Sequence, residues 1–195
     1  MKSRSGNQST FEFLNQFHPL ANVDFELLTR DLPTRTAQKG EWLVTPGQIQ
    51  RELYFVKKGV QMSYYEADDK LYVITFTYPP NLCAIPDSFL FQRKSKFYLK
   101  CLADSEFLVL SYDRLQMIFD QSRNIETFFR RANEGLLAAT IDRHLEFHTL
   151  TMEERYRIFC KRSAHLLQIV PHKYIASYLG IDATNFSKLF NTVRI

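Results

Sequence analysis

Residues 171–191 read PHKYIASYLGIDATNFSKLFN, and the spacing of small and apolar residues there decides how the C-terminal part of the chain folds. Two short helices that cross steeply over a tight turn need a small residue where they touch, a glycine at the turn and apolar residues at fixed offsets. Ile175, Ala176, Leu179, Gly180, Ile181, Phe186 and Leu189 meet those needs together. Gly180 suits the left-handed backbone that ends a first helix, and Asp182 suits the cap of a second. The pattern predicts a helix-turn-helix whose second helix runs from about Ala183 to Asn191. An αα-hairpin that merely packs is the alternative.

A second helix of this kind lies in the major groove of DNA. Its helical phase points Thr184, Asn185, Ser187 and Lys188 outward while Phe186 and Leu189 face the core. Asn can bond adenine through a bidentate pair, and Lys reaches guanine acceptors or phosphate. His172 and Lys173, with the positive end of the first helix, are placed to hold the phosphate backbone. Asp182 and Ala183, at the entry of the second helix, complete the expected DNA-contact set. Taken singly, each of these residues also fits a solvated surface position.

Charge distribution points the same way. Of 25 Lys+Arg and 21 Asp+Glu in the 195 residues, 18 of each lie in residues 1–150. The last 45 residues keep the other 7 basic and 3 acidic groups, so the whole net charge of +4 sits there. A neutral body with a basic appendix fits a polyanion-binding module carried on a separate scaffold. No run of eighteen apolar residues appears, which excludes a membrane-spanning helix. MKSRSGNQST at the start has no apolar segment behind it, so no secretory leader is expected. Cys83, Cys101 and Cys160 are scattered without a CxxC pair, which argues for reduced thiols in a cytoplasmic protein and against a cysteine-ligated metal or cluster.

Residues 42–44, 53–56, 60–65, 71–77, 98–102 and 107–110 are short runs rich in β-branched and aromatic residues. Gly40, Pro46-Gly47, Lys57-Lys58-Gly59 and Asp68-Asp69 separate them, which predicts an antiparallel roll or sandwich. Helical spacing precedes it at 11–17 and 24–31. The expected fold class is α+β, with an N-terminal antiparallel β-roll over residues 1–121, a long helix and hinge over 122–150, and a helix-turn-helix domain over 151–195. The long helix, from about Ile125 to His148, carries Ile125, Phe128, Phe129, Ala132, Leu136 and Ala139 on one stripe, with Leu137, Ile141 and Leu145 alongside. So wide a band needs two covering surfaces. A twin helix is the expected second surface, meeting Phe128, Ala132, Gly135, Leu136, Ala139 and Arg143; a core helix within one chain is the alternative. Thr151-Met-Glu-Glu154 fits a capping box that restarts a helix after the hinge near Leu150.

Read together, the halves resemble the Crp/Fnr family of bacterial transcription regulators. K39-G-E-W-L-V-T-P-G47 followed by L53-Y-F-V-K-K-G59 is similar to the family's β-roll signature. The long helix is similar to its dimerisation helix, and 171–191 to its winged-helix DNA reader. The resemblance runs from about Asn22 to Asn191, and the KYIASYLGI wording is nearest in style to the Bacteroidetes branch. It implies a jelly-roll domain of cyclic-nucleotide-binding type, a homodimer, a near-palindromic operator with half-sites about 34 Å apart, and RNA polymerase as a further partner. It also implies an effector pocket lined by Phe76, Ile85, Asp87, Ser88, Ser95, Lys96, Phe97 and Tyr98.

That pocket departs from the family pattern. Where nucleotide-binding members carry Gly-Glu and Arg, this chain has Pro86-Asp87 and Ser95, and proline removes an amide that the phosphate would use. Phe97 and Tyr98 crowd the space. The expectation is a degenerate pocket unresponsive to cyclic AMP, with no cofactor, though another small-molecule effector fits the resemblance. In the reading helix, Ala183 and Thr184 stand where relatives have Arg and Glu, and Lys188 replaces a second Arg, so the operator should differ from the family consensus. The sequence stops soon after the reading helix, at Arg194-Ile195, so little room for a β-wing is expected.

Other constellations carry less. His144 and His148 stand four apart on one helix face and could share a metal, but Leu145 holds the place of the zincin glutamate, so a surface or interface role is expected and no metal. No GxxxxGK[ST], GxGxxG or GxSxG motif occurs, and no triad spacing suggests catalysis. The sequence therefore predicts a dimeric, non-enzymatic DNA-binding regulator. The rival is a small-molecule sensor that signals through protein contacts, its DNA reader having decayed.

Overall fold

The protein is described by a computed structural model covering residues 12–193. Phe11, the N-terminal MKSRSGNQST and Arg194-Ile195, on which the leader, first-helix and wing expectations bear, lie outside the described residues. The described residues form two compact units, one of residues 12–63 with 76–137 and one of residues 64–75 with 138–193. The division cuts through a helix at Leu137, whereas the sequence limits at 121 and 150 fall at element ends.

Among the described residues, eight strands follow in order: β1 (Thr34–Ala37), β2 (Trp42–Val44), β3 (Glu52–Lys58), β4 (Gln61–Ala67), β5 (Lys70–Thr77), β6 (Leu82–Cys83), β7 (Tyr98–Cys101) and β8 (Ser105–Ser111). They form two four-stranded sheets, β1-β8-β3-β6 and β2-β7-β4-β5. The registered pairs are antiparallel, with Tyr54 opposite Val109 and Thr34 opposite Leu108. The expected antiparallel roll and α+β class are what the chain adopts. β3 is flanked on both edges, and Leu53, Tyr54, Phe55 and Val56 are all buried. An unbroken apolar run, not an alternating one, is what a strand covered on both faces requires. Gly59 turns β3 into β4 at φ +95°, where a Cβ would lie 2.2 Å from Ser105 Oγ, so no side chain fits.

Among the described residues, apolar clusters hold this unit together. One joins Leu53, Phe55 and Leu110 to Leu14, Leu28, Leu115, Ile118, Ile125, Phe128 and Phe129. These come partly from α1 (Asn22–Thr29), α3 (Tyr112–Gln121) and the start of α4 (Arg123–Thr149). The other lies inside the roll and includes Tyr54, Val56, Cys83, Ile85, Leu99, Cys101 and Phe107. A short α2 (Pro86–Phe91) begins with proline at its first turn, where the missing N–H costs nothing.

In the second unit, α5 (Met152–Ser163), α6 (Leu166–Ile169), α7 (His172–Leu179) and α8 (Ala183–Thr192) surround Tyr156, Phe159, Cys160, Leu166, Val170, Ile175, Ala176, Leu179, Ile181 and Phe186, all buried. The Thr151–Glu154 capping box forms as expected: Thr151 Oγ1 accepts from Glu154 N at 3.3 Å and Glu154 Oε2 accepts from Thr151 N at 2.8 Å. Buried Tyr64 and Val73, from the β4–β5 hairpin, belong to this unit.

Candidate nucleic-acid interface

The turn between α7 and α8 is built as its composition predicts. Gly180 adopts φ +63°, ψ 38° and donates its N–H to Ala176 and Ser177 carbonyls, ending α7. That left-handed backbone region selects glycine, and a Cβ there would lie 3.0 Å from the Phe147 ring edge, which would have to give way. Asp182 caps α8, its Oδ1 accepting from Asn185 N at 2.9 Å. That bond, with a second from the Asn185 side chain, holds the Asp182 carboxyl below its usual range. Phe186 is buried edge-on against Tyr156, ring centroids 5.7 Å apart, which seats α8 on α5.

Burial of one face of α8 leaves Ala183, Thr184, Ser187 and Lys188 exposed, and Lys188 is the one charged side chain of that helix. Asn185 behaves differently. It is half-buried, and its Nδ2 donates to Asp182 Oδ2 at 2.5 Å, so its amide is engaged at the helix entry. The His172 ring lies 4.3 Å from that of Phe190 and 5.5 Å from that of Phe186, covering α8 with an imidazole that remains exposed. Lys173 is exposed, its ammonium 5.1 Å from the Tyr174 ring centre.

Two arginines and a serine, none of them singled out from sequence as DNA-contacting, hold this head together. The last carbonyls of a helix lack intrahelical partners. Arg155 supplies three donors to such groups: Nε to Leu179 O at 3.0 Å, Nη1 to Leu150 O at 2.7 Å and Nη2 to Gly180 O at 3.4 Å. Arg143 donates to Tyr178 O and sits over the Tyr178 ring, its Cζ 3.3 Å from the ring centre. Its pKa is lowered, burial being the largest cause. These side chains, with Phe147, Phe159 and Arg162, line a small cavity of about 50 Å³. Ser177 Oγ accepts from Val73 N at 3.0 Å and donates to Leu71 O at 2.7 Å, pairing α7 with the β5 backbone. The only local signal was an arginine three residues into a capped helix, which says nothing of distant carbonyls.

The residues expected to line an effector pocket are largely consumed by their own chain. Ser88 is fully buried, accepting from Gln50 N at 2.9 Å and donating to Arg93 O at 2.8 Å. Ser95, also buried, donates to Phe97 O and accepts from Phe97 N. Gln50 Oε1 takes the Ile85 amide at 2.8 Å, so a buried glutamine that sequence reading passed over closes the start of this segment. Asp87 is paired with Arg93 at 3.4 Å, Ile85 is buried in the roll, and Phe76, Phe97 and Tyr98 are half-buried; of the eight, Lys96 alone is exposed. An open groove of about 480 Å³ in this unit is lined instead by residues such as Thr36, Gln38, Glu41, Lys58, Asp104 and Glu106.

The expected dimer surface needs correction. Phe128 is wholly buried in the first unit's core and is no interface residue, because the stripe it heads is the face α4 turns inward over its first turns. Arg143 is occupied by Tyr178 of its own chain. Ala132 is half-buried, while Gly135, Leu136 and Ala139 are exposed. The large apolar side chains that α4 leaves in solvent are mainly those placed alongside: Leu137, Ile141 and Leu145 are 62%, 53% and 53% exposed.

Among the described residues, no helix is long and apolar enough to cross a membrane, and no group of three or more His, Cys, Asp or Glu is placed to hold a metal ion. All three cysteines are buried and free.

No family model matches the chain, and no curated protein matches it in sequence. Its fold is shared with solved structures. FixK2 from Bradyrhizobium japonicum superposes with TM-score 0.70 at 15% identity, over 82% of this chain and 83% of that one. A chain from Eubacterium rectale assigned to the crp/fnr family of transcriptional regulators gives 0.69 at 14%, over 93% and 86%. CLP, described as a c-di-GMP responsive global regulator of Xanthomonas campestris, gives 0.63 at 18%, over 88% and 90%. The fold is thus that of the Crp/Fnr regulators, as the sequence resemblance implied.

Proposed function

We propose that this protein is a sequence-specific DNA-binding transcriptional regulator of the Crp/Fnr type, a non-enzymatic cytoplasmic homodimer that binds double-stranded DNA and works with RNA polymerase. The observation that carries the reading is α8: capped by Asp182, seated by buried Phe186, and turning Thr184, Ser187 and Lys188 to solvent. A duplex groove is the surface that such a short, polar, cationic helix fits. Thr184, Ser187 and Lys188 would carry base and phosphate contacts, while Asn185 acts through Asp182 to set the helix entry. His172 and Lys173 would steady the backbone. The twin chain would cover Leu137, Ile141 and Leu145, since an apolar row of that exposure on an isolated helix is stabilised by an isologous partner.

Cyclic AMP is not the effector in this reading. Ser88 and Ser95 spend their hydroxyls on the chain itself, and no arginine stands at Ser95 to meet a cyclic phosphate. Thermal melts with cyclic AMP should show no shift.

Selection of duplexes from a random pool tests the main claim: a recovered consensus with two related half-sites supports it, and failure to enrich any duplex counts against it. If roughly six to ten phosphates are neutralised per dimer, log affinity should fall with log salt at a slope near −5 to −9. One observation favours the sensor-only reading, namely the Asn185 amide spent on Asp182. Under that reading the pool yields nothing at any salt concentration.

A further inference from the structure

His144 and His148 are in ring contact on α4, centroids 4.6 Å apart with planes at 69°. Both are exposed, and among the described residues neither imidazole has a hydrogen-bond or ion-pair partner. Other histidines are engaged differently: the His18 ring bonds Asn124 Oδ1 at 2.7 Å, and His172 lies on Phe190. Two touching imidazoles one helical turn apart can offer a bidentate pair of nitrogen ligands.

Their phase on the helix matters as much. At about 100° per residue, Leu137, Ile141, His144 and His148 fall within about 60° of one another. The histidines thus continue the exposed apolar row that the proposed twin would cover. Arg143 points elsewhere, onto Tyr178, and Glu146 is bound to Arg162 at 2.9 Å, so neither competes for the imidazoles. Across a two-fold axis along that row, each pair would meet its own copy.

We infer that His144 and His148 form half of a divalent transition-metal site, completed by the same two residues of a second copy, with one ion on the dimer axis. A tetrahedral Zn²⁺ takes four nitrogen or sulfur ligands, and one chain offers two. Within a single chain no set of three or more potential ligands exists among the described residues, so the second copy is required for a closed site. Imidazole is a good ligand for zinc, copper and nickel and a poor one for magnesium or calcium. Metal binding would stabilise the pair of long helices near the hinge that leads to the DNA-reading head. This site rests on the homodimer proposed above.

The test uses the full chain and Zn²⁺ as the probe, after stripping with a chelator. Calorimetric titration should show half an ion per chain. Sedimentation should show the dimer dissociation constant falling about tenfold when free Zn²⁺ reaches about ten times its own Kd. His144→Ala and His148→Ala should each abolish that tightening and leave the metal-free dimer within about twofold of the parent. One ion per chain without tightening, or a dimer indifferent to Zn²⁺, overturns the site and leaves the dimer standing. A chain that stays monomeric with and without Zn²⁺ overturns the dimer reading and the site with it.

Discussion

Residues 85–98 and 183–192 carry similar polar equipment and put it to opposite uses. The first stretch has Asp87, Ser88, Ser95 and Lys96; the second has Thr184, Asn185, Ser187 and Lys188. In the first, both serines are buried and each hydroxyl makes two bonds to its own chain, while Asp87 is held by Arg93. In the second, Thr184, Ser187 and Lys188 stay in solvent, and only Asn185 is tethered. A polar side chain near a cleft is a ligand-binding candidate only if the backbone around it has found other partners. Gln50 and the two serines instead spend their polar atoms on buried amides and carbonyls of their own chain.

The comparison breaks most readily at the head's own core. Phe186→Ala removes a fully buried ring and should cost about 3–5 kcal/mol. Circular dichroism during denaturation should report loss of the C-terminal helices, and DNA binding should vanish with them. A variant that kept its stability would show that α8 is seated by something else.

A reciprocal pair sharpens the contrast. Ser88→Ala strands the Gln50 amide and the Arg93 carbonyl, so stability should fall by about 1–3 kcal/mol while affinity for a selected duplex stays level. Lys188→Ala should leave stability within about 0.5 kcal/mol. It should weaken duplex binding by about 1–3 kcal/mol and, if Lys188 meets a phosphate, reduce the salt slope by about one. Swapped outcomes would reverse the assignment of the two segments.

Asp182 gives a smaller effect with a definite pH dependence. Its folded pKa is lowered from 3.8 by the backbone and side-chain bonds from Asn185. A group depressed on folding contributes fully above its unfolded pKa, and that contribution is lost as pH falls through the folded value. Asp182→Ala should therefore melt below the parent at neutral pH, and the gap should close in strong acid. A gap independent of pH would mean that the carboxylate is not what caps α8.

The smallest expected change is none at all. Burial pushes the Cys83 thiol up to about 12, and Cys101 and Cys160 are raised by the same cause. A thiol reagent at mildly alkaline pH should leave the native chain unmodified and react only as it unfolds. Rapid labelling of the native chain would show that the roll opens.

Much of the fold was legible because its signals are local. The helix-turn-helix followed from Gly180, Asp182 and the offsets of Ile175, Leu179 and Phe186, and the capping box from Thr151 and Glu154 alone. The exposed face of α8 was legible from the same periodicity, except for Asn185, whose engagement depends on which rotamer reaches the cap. Phe128, expected on the twin-facing stripe, lies in the core for a different reason. Phe128 and Leu137 are both large and apolar on one amphipathic helix, and periodicity cannot tell which stripe its own chain covers. The partners of Gln50, Arg143, Arg155 and Ser177 could not be read, since the bonds between Arg155 and Leu179, Gln50 and Ile85, and Ser177 and Leu71 span 24 to 106 positions.

The amino-acid order by itself determined where the backbone turns, where helices start and stop, and which faces are apolar, because those depend on φ preferences and on neighbours within a few residues. Tertiary structure alone decided which apolar stripe is covered and which polar groups remain unspent. Burial drives most amides and carbonyls to find a partner, and that partner is chosen by proximity in space.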